Sequence, residues 1–301
     1  MACGVLVVAA ASVAAWSLGA PANSLPTTLV RAVADCAAVA TLGLAAVPML
    51  DAGRYRDELL DRATAPLLVA GAAWLVSELT RLVVTAAQAI AASVTQVGVG
   101  TTAEFALRTV AGRSGLFSAL AAAAVCLVAA VAPRTVSTAV AAAGIAAAGV
   151  AARTLTGHLG ESGPGGAAVA VHTLAAALWC GLLAALVLTV EHRGQWARVL
   201  PRFSQLSLVC VGALLAGGAV GAAVTLTSPA QLYASGYGRL LSAKILVTVV
   251  LVVLAWRNRT MWLPAVRSHR TTAVVSRSRS LAELAIMAVA LTLAAALAVT
   301  G

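Results

Sequence analysis

Residues 167–190 read AAVAVHTLAAALWCGLLAALVLTV, and His172 is the one side chain among them that carries a positive charge when protonated. As an α-helix, a run of this length extends about 36 Å, which exceeds the ~30 Å hydrocarbon core of a bilayer. A helix satisfies all of its own backbone hydrogen bonds, which lipid requires of a single spanning segment. The run therefore predicts a transmembrane helix.

The remainder of the chain has the same character. Of its 301 residues, 61% are hydrophobic and 10% are charged, whereas soluble domains contain about 45–50% apolar and 25% charged residues. This composition excludes a soluble globule and predicts an all-α fold, a polytopic transmembrane helical bundle of about nine spans. The predicted spans are 2–20, 29–50, 65–90, 115–132, 136–157, 167–190, 203–227, 238–256 and 281–300.

Arginine is concentrated in every second connection between the predicted spans. The segments after the second, fourth, sixth and eighth spans carry thirteen arginines: Arg54, Arg56, Arg62, Arg134, Arg193, Arg198, Arg202, Arg257, Arg259, Arg267, Arg270, Arg277 and Arg279. The other connections carry three: Arg108, Arg113 and Arg239. The positive-inside rule predicts an inner N-terminus and an outer C-terminus. The net charge of +10 is dispersed between apolar runs, which indicates a lipid bilayer and no nucleic acid as partner.

The chain divides into N-terminal membrane helices over 1–135, about four spans, and a further set of about five spans over 136–301. Residues 1–20 are a possible signal segment, because small residues precede Pro21. Residues 91–113 are too polar for a span and predict an outer-surface loop or interfacial helix, with Glu104 and Arg108 paired at i,i+4. The connection 257–280 has room for at most a short helix.

Ionisable groups within the spans are costly in lipid and need partners. They are Arg31 with Asp35, Glu78 with Arg81, and the single residues Arg153 and Lys244. The first four form i,i+4 and i,i+3 pairs, a spacing that predicts an ion pair on one helix face. The two single cations lie near outer ends of spans, which predicts that they extend toward the outer surface.

Two of the four histidines define a candidate metal site. His158 begins the short connection between the fifth and sixth spans, and His172 lies about five residues inside the sixth. Because that connection makes the two spans neighbours, the two imidazoles are predicted to share one ion, with Glu161 as an oxygen ligand. Imidazole suits copper, zinc, iron or nickel. His192 and His269 lie in inner connections and are predicted to be solvated.

Two other interpretations of His158 and His172 remain open from the residues alone. His172 is also suited to a hydrogen bond with a neighbouring helix, with His158 capping the end of the fifth span. Two histidines at one depth are also suited to the axial positions of a b-type haem, which would make the protein an electron carrier.

Between Leu155 and Asn258 an ordered set of residues resembles the membrane domain of the copper resistance protein D (CopD) family. The set comprises Gly157-His158, His172, Trp179, Gly181, Arg202-Phe203-Ser204, Gly217, Gly218, Tyr237-Gly238-Arg239, Lys244 and Trp256-Arg257-Asn258-Arg259. The preceding spans are similar in architecture to longer actinobacterial members.

The resemblance implies a non-enzymatic, multi-pass protein of the bacterial plasma membrane that moves copper ions inward from the extracytoplasmic side in copper homeostasis. It makes His158 and His172 the candidate copper ligands. It also implies a periplasmic or extracytoplasmic copper-binding protein, or a cytochrome-oxidase copper-chaperone (CtaG-like) domain, as partner. The alternative is an assembly module that delivers copper to a respiratory oxidase without transporting it.

Overall fold

The computed structural model describes residues 2–21, 23–154, 163–225, 231–267 and 272–300. Every regular element within these ranges is a helix, which confirms the predicted all-α fold class.

The helices are α1 (Ala2–Gly19), α2 (Leu25–Ala46), α3 (Arg54–Ala89), α4 (Val99–Arg108), α5 (Val110–Val131), α6 (Val136–Ala152), α7 (Gly163–Thr189), α8 (Arg193–Thr225), α9 (Gln231–Ala234), α10 (Gly236–Arg257), α11 (Leu263–Arg267) and α12 (Ala273–Thr300). Short 3-10 turns at Val47–Leu50 and Val94–Gln96 follow α2 and precede α4. A π-helical turn, Asn258–Trp262, joins α10 to α11.

Seven segments in the described part of the chain are long and apolar enough to cross a membrane. They contain α2, α3, α5, α7, α8, α10 and α12. The other two predicted spans form shorter apolar helices, α1 and α6. The 17 residues of α6 rise about 26 Å, less than a typical hydrocarbon core. Seven helices that are long and apolar enough to span a membrane, and two shorter apolar helices, thus stand in place of the roughly nine spans predicted.

Several helices begin well before the apolar run that predicted them. The third, eighth and twelfth helices start at Arg54, Arg193 and Ala273, because a helix continues through charged residues beyond the lipid, where hydropathy no longer marks it. The polar segment predicted as a loop or interfacial helix contains α4. Its Glu104 and Arg108 form the expected i,i+4 pair at 3.4 Å, largely exposed.

One end of the bundle is rich in arginine. Three ion pairs join different connections there: Asp51–Arg198 at 3.1 Å, Arg62–Glu191 at 2.9 Å and Arg134–Asp61 at 3.0 Å. These contacts bring the connections after α2, α5 and α7 together, as the alternation of basic residues predicts. We refer to the end defined by these three pairs as the basic end.

The opposite end contains the end of α1 and the starts of α2 and α10. Arg239 donates to the main-chain oxygens of Leu18 and Ala20, at 3.0 and 3.2 Å. Gln88 near the end of α3 donates to the Thr27 hydroxyl at 2.7 Å. Successive long helices therefore run between the two ends in alternating directions.

The core is centred on α2, which packs against α3, α6, α7 and α12. Where α2 crosses α7, a Cβ atom added to Gly43 would collide with the backbone of Gly181, and one added to Gly181 would collide with the Val39 carbonyl oxygen. Small residues at such crossings let backbones approach closely. At this crossing the backbones of α2 and α7 are therefore in close contact.

Candidate functional site

His172 lies on α7, nine residues after its first residue and in the half of the helix near the opposite end. Its Nδ1 atom is 2.7 Å from the main-chain oxygen of Leu214 on α8. Because a carbonyl oxygen only accepts, Nδ1 carries the hydrogen, and Nε2 of the neutral ring keeps its lone pair. Metal-binding imidazoles characteristically donate their second N–H to such an oxygen, which fixes the tautomer and the ring orientation.

Two consecutive glycines of α8 make room for this imidazole. A Cβ atom on Gly217 would lie 2.7 Å from the Ala168 carbonyl oxygen and 3.0 Å from the His172 Cβ atom. One on Gly218 would lie 3.3 Å from the ring Nδ1 atom. The Gly217-Gly218 pair therefore permits α7 and α8 to approach closely enough for the His172–Leu214 hydrogen bond.

Lys244 on α10 lies within electrostatic reach of His172. This side chain is partly buried. A positive charge near an imidazole opposes the approach of a cation. The surroundings of His172 thus combine a free nitrogen lone pair with one repulsive charge.

The other two predicted ligands, His158 and Glu161, lie outside the described residues. The predicted convergence of the three side chains therefore stays a prediction. Within the described ranges, no group of three or more histidine, cysteine, aspartate or glutamate side chains is arranged to hold a metal ion. His172 is thus the described member of the candidate site.

The remaining sequence candidates have structural roles or lie elsewhere. His192 is exposed at the basic end, as predicted, and its main-chain N–H donates to the Gln195 side chain at 3.1 Å. His269 lies outside the described residues. Trp179, two turns after His172, is 3% exposed and belongs to the main hydrophobic core, which supports a packing role.

A buried charge network lies between α3, α5 and α6. The Glu78 carboxylate is fully buried; Oε2 contacts Arg81 Nε at 2.9 Å and Oε1 contacts Arg153 Nη1 at 2.7 Å. Trp74 Nε1 and the Ser118 hydroxyl also donate to Oε1, at 3.3 and 3.1 Å. The i,i+3 prediction for Glu78 and Arg81 is confirmed.

Two other predictions about charged residues at membrane depth are wrong. Asp35 forms its ion pair with Arg153 at 2.8 Å, whereas Arg31 donates to the Ala298 carbonyl oxygen at 3.2 Å. Arg153 does not extend outward, since its side chain is 5% exposed. Two carboxylates, from α2 and α3, compensate its charge inside the bundle, which removes the physical reason to reach for water.

Comparison with protein families gives two matches. Residues 22–167 match the model of the "Copper resistance protein D-like, N-terminal domain". Residues 197–298 match the model of "Copper resistance protein D". No curated protein and no solved structure matches the chain. The two family matches together cover most of the sequence, and the first contains the buried charge network.

Proposed function

Because the chain belongs to the copper resistance protein D family and is a multi-pass membrane protein, we propose that it moves copper ions across the plasma membrane from the extracytoplasmic side. Copper is the substrate. Among the residues that the structure describes, His172 is the one that the ion binds first. The observation that supports this assignment is the hydrogen bond from His172 Nδ1 to Leu214, which leaves Nε2 available as a ligand.

The basic end lies in the cytoplasm in this proposal. It carries most of the arginines found outside the spans, and the positive-inside rule assigns such a concentration to the cytoplasmic side. The N-terminus is then inside and the C-terminus outside. His172 belongs to the outer half of the bundle, where copper arrives from an extracytoplasmic copper-binding protein.

The complete copper site consists of His172, His158 and Glu161. His158 and Glu161 belong to the short connection that precedes α7 in the sequence, so little chain separates them from His172. Two imidazoles and a carboxylate replace part of the ion's water shell, as suits a transition metal with nitrogen and oxygen ligands. The ion then passes between the helices toward the basic end.

Copper stoichiometry on the purified chain tests this site. We expect the wild type to bind copper and the His172→Ala variant to lose it, with a double His158→Ala, His172→Ala variant at least as impaired. Copper accumulation in cells should fall in parallel with binding. Unchanged binding and accumulation in His172→Ala, at normal protein level, would contradict the assignment.

The His192→Ala variant provides a matched control. His192 is an exposed histidine at the basic end, so its removal tests whether any imidazole on the surface affects the measured stoichiometry. We expect this variant to bind as much copper as the wild type. A loss equal to that of His172→Ala would show that the assay detects adventitious copper at surface histidines.

A further inference from the structure

Glu283 is one of three buried carboxylates among the described residues, with Asp51 and Glu78. The sequence pattern does not indicate its burial, because Glu283 lies at the predicted start of the last span, where a charge costs little. In the structure it is 3% exposed. It is the eleventh residue of α12, about 15 Å along the helix from Ala273. Since α12 ends near Arg31 at the opposite end, Glu283 lies in the half of the bundle that contains the basic end.

Its one hydrogen bond within the described part of the chain comes from Asn258. The amide Nδ2 atom of Asn258 donates to Glu283 Oε2 at 2.7 Å. Asn258 is the first residue of the π-helical turn after α10, a local widening of the helix that frequently occurs at functional sites. The amide donor orients the carboxyl group and supplies no charge.

Positive charges near Glu283 have other partners or face away. Arg259, next to Asn258, donates to the main-chain oxygen and the hydroxyl of Ser204, both at 3.0 Å. Arg279, one turn before Glu283 on α12, is exposed. Among the described residues, no arginine, lysine or histidine forms an ion pair with Glu283.

Several other described ionisable groups on helices packed against α12 also leave the carboxyl group uncompensated. Cys180 on α7 is within electrostatic reach of it and adds no positive charge. On α8, Cys210 is buried, and the arginines at the basic end bind elsewhere. These are Arg198 with Asp51 and Arg202 with the Leu50 carbonyl oxygen.

The charged groups on α10 and α2 are also no partners for Glu283. Arg257 on α10 is exposed, and Arg31 and Asp35 on α2 belong to the opposite half.

Glu78 shows how this chain compensates the charge of a carboxylate at membrane depth. It is fully buried and has two guanidinium partners, Arg81 and Arg153. Glu283 has comparable burial and, among the residues that the structure describes, no such partner. A lone carboxylate in this environment requires a cation from elsewhere.

A stripe of buried hydroxyl groups connects Glu283 with the start of α12. Ser276, Ser280 and Glu283 follow the spacing i, i+4, i+7 of one helix face and are 1%, 0% and 3% exposed. The Ser280 hydroxyl is buried, and no described residue forms a hydrogen bond with it. Trp262 Nε1 donates to the Ser276 hydroxyl at 3.4 Å. We call Ser276, Ser280 and Glu283 the proton stripe.

We propose that Glu283 is a proton-exchange site, loaded from the basic end along the proton stripe. The carboxyl group holds one proton when the bundle contains no copper. When a copper ion enters, the O–H bond of Glu283 breaks, and the proton passes along the α12 face of Ser280 and Ser276 to solvent at the basic end, with water bridging the one-turn gaps between these groups. The carboxylate then balances one unit of the charge of the ion. When copper leaves, one proton returns to the same oxygen, and no electron is transferred. The coupling step rests on the proposed copper transport, whereas proton exchange itself does not.

Infrared difference spectroscopy of the full chain in lipid nanodiscs tests the proton site without copper. We expect the carbonyl band of a protonated carboxyl group at neutral pH, lost on alkalinisation. The band should be absent from Glu283→Gln, should persist in Glu104→Gln as an exposed-carboxylate control, and should shift in frequency in Glu283→Asp. Survival of the same band in Glu283→Gln, or its absence from the folded wild type at neutral pH, would overturn the proposal.

Two further measurements separate the stripe and the coupling from copper transport. Ser280→Ala should slow the change in the Glu283 band after a pH jump; unchanged kinetics would refute the stripe as the proton path. Adding copper to the wild type should remove the band. Copper bound in a His172-dependent manner with the band unchanged would refute coupling while leaving the proposed function intact. If the wild type binds no copper but shows the Glu283 band as expected, the proposed function is refuted and the proton site is not.

Discussion

Arg153 Nη1 lies 2.7 Å from Glu78 Oε1, and this ion pair connects α6 to α3 inside the membrane-spanning bundle. The same guanidinium contacts Asp35 on α2 at 2.8 Å. Arg153 and Glu78 are 5% and 0% exposed, so water contributes little to compensating either charge. One arginine therefore links three helices of the N-terminal part.

Replacing Arg153 with methionine should destabilise the protein severely. The substitution keeps an unbranched side chain but leaves Asp35 without its ion pair and Glu78 with Arg81 as its one guanidinium partner among the described residues. Removal of one partner from a buried ion pair typically costs about 3–5 kcal/mol. We expect a clear fall in the unfolding temperature of the purified protein in detergent, measured by tryptophan fluorescence.

Arg134→Met is the matched control for that experiment. Arg134 pairs with Asp61, but both side chains are more than half exposed. Surface ion pairs contribute about 0–1 kcal/mol, so the unfolding temperature should barely change. Equal destabilisation by the two substitutions would contradict the special role of the buried network.

The spacing of charged residues predicted two of three local ion pairs correctly and predicted no partner from another helix. Glu78 and Arg81 are three residues apart on one helix and pair as expected. Asp35 has a suitably spaced neighbour in Arg31 but binds Arg153, a residue from another helix. Sequence spacing contains no information about which helices pack together, so such partners follow only from the assembled bundle.

The candidate site was predictable to a similar extent. Hydropathy predicts His172 inside a helix near one end of the bundle, as observed, and a hydrogen bond to a neighbouring helix is one of the interpretations that the sequence leaves open. The identity of the acceptor, Leu214, depends on the register between α7 and α8. That register follows from close packing at Gly217, which the sequence alone does not specify. Glu283 was missed because hydropathy treats a charge at the edge of a span as exposed.

Gly217→Ala should weaken copper binding by displacing His172. The added methyl group would lie 2.7 Å from the Ala168 oxygen and 3.0 Å from the His172 Cβ atom. Such overpacking typically costs about 1–3 kcal/mol and moves the backbone. Copper stoichiometry and unfolding temperature should both fall.

Gly212→Ala, on the same helix, separates this effect from helix propensity. A Cβ atom at Gly212 meets no atom within 4 Å, and alanine favours a helix over glycine by about 1 kcal/mol. We expect unchanged copper binding and equal or higher stability. Impaired copper binding in Gly212→Ala would indicate that any substitution in α8 disturbs binding. It would contradict a specific role of Gly217 in positioning His172.

Lys244→Met should increase the affinity for copper. Lys244 acts electrostatically on His172, and its positive charge repels a bound cation. Removal of that repulsion is expected to contribute on the order of 1 kcal/mol, a roughly fivefold gain in affinity. Competition titration with a copper-selective chelator measures the change. Lys244→Arg keeps the charge and should retain the wild-type affinity; a gain in both variants would show that the charge is not responsible.

The closest helix crossing offers the strictest test of the fold. Gly43 and Gly181 bring the backbones of α2 and α7 into contact, and no side chain fits at either position. Gly181→Ala should therefore separate two helices at the centre of the core, with a loss of at least about 3 kcal/mol, at the upper limit of usual overpacking costs.

Gly144→Ala is the comparison for this crossing, since Gly144 lies on the apolar helix α6 and a Cβ atom there has open space around it. Size-exclusion chromatography should yield monodisperse protein for Gly144→Ala and aggregated or poorly expressed protein for Gly181→Ala. A stable, monodisperse Gly181→Ala protein would mean that α2 and α7 are farther apart than the structure indicates. The position of His172, which α7 carries nine residues before Gly181, would then need to be revised as well.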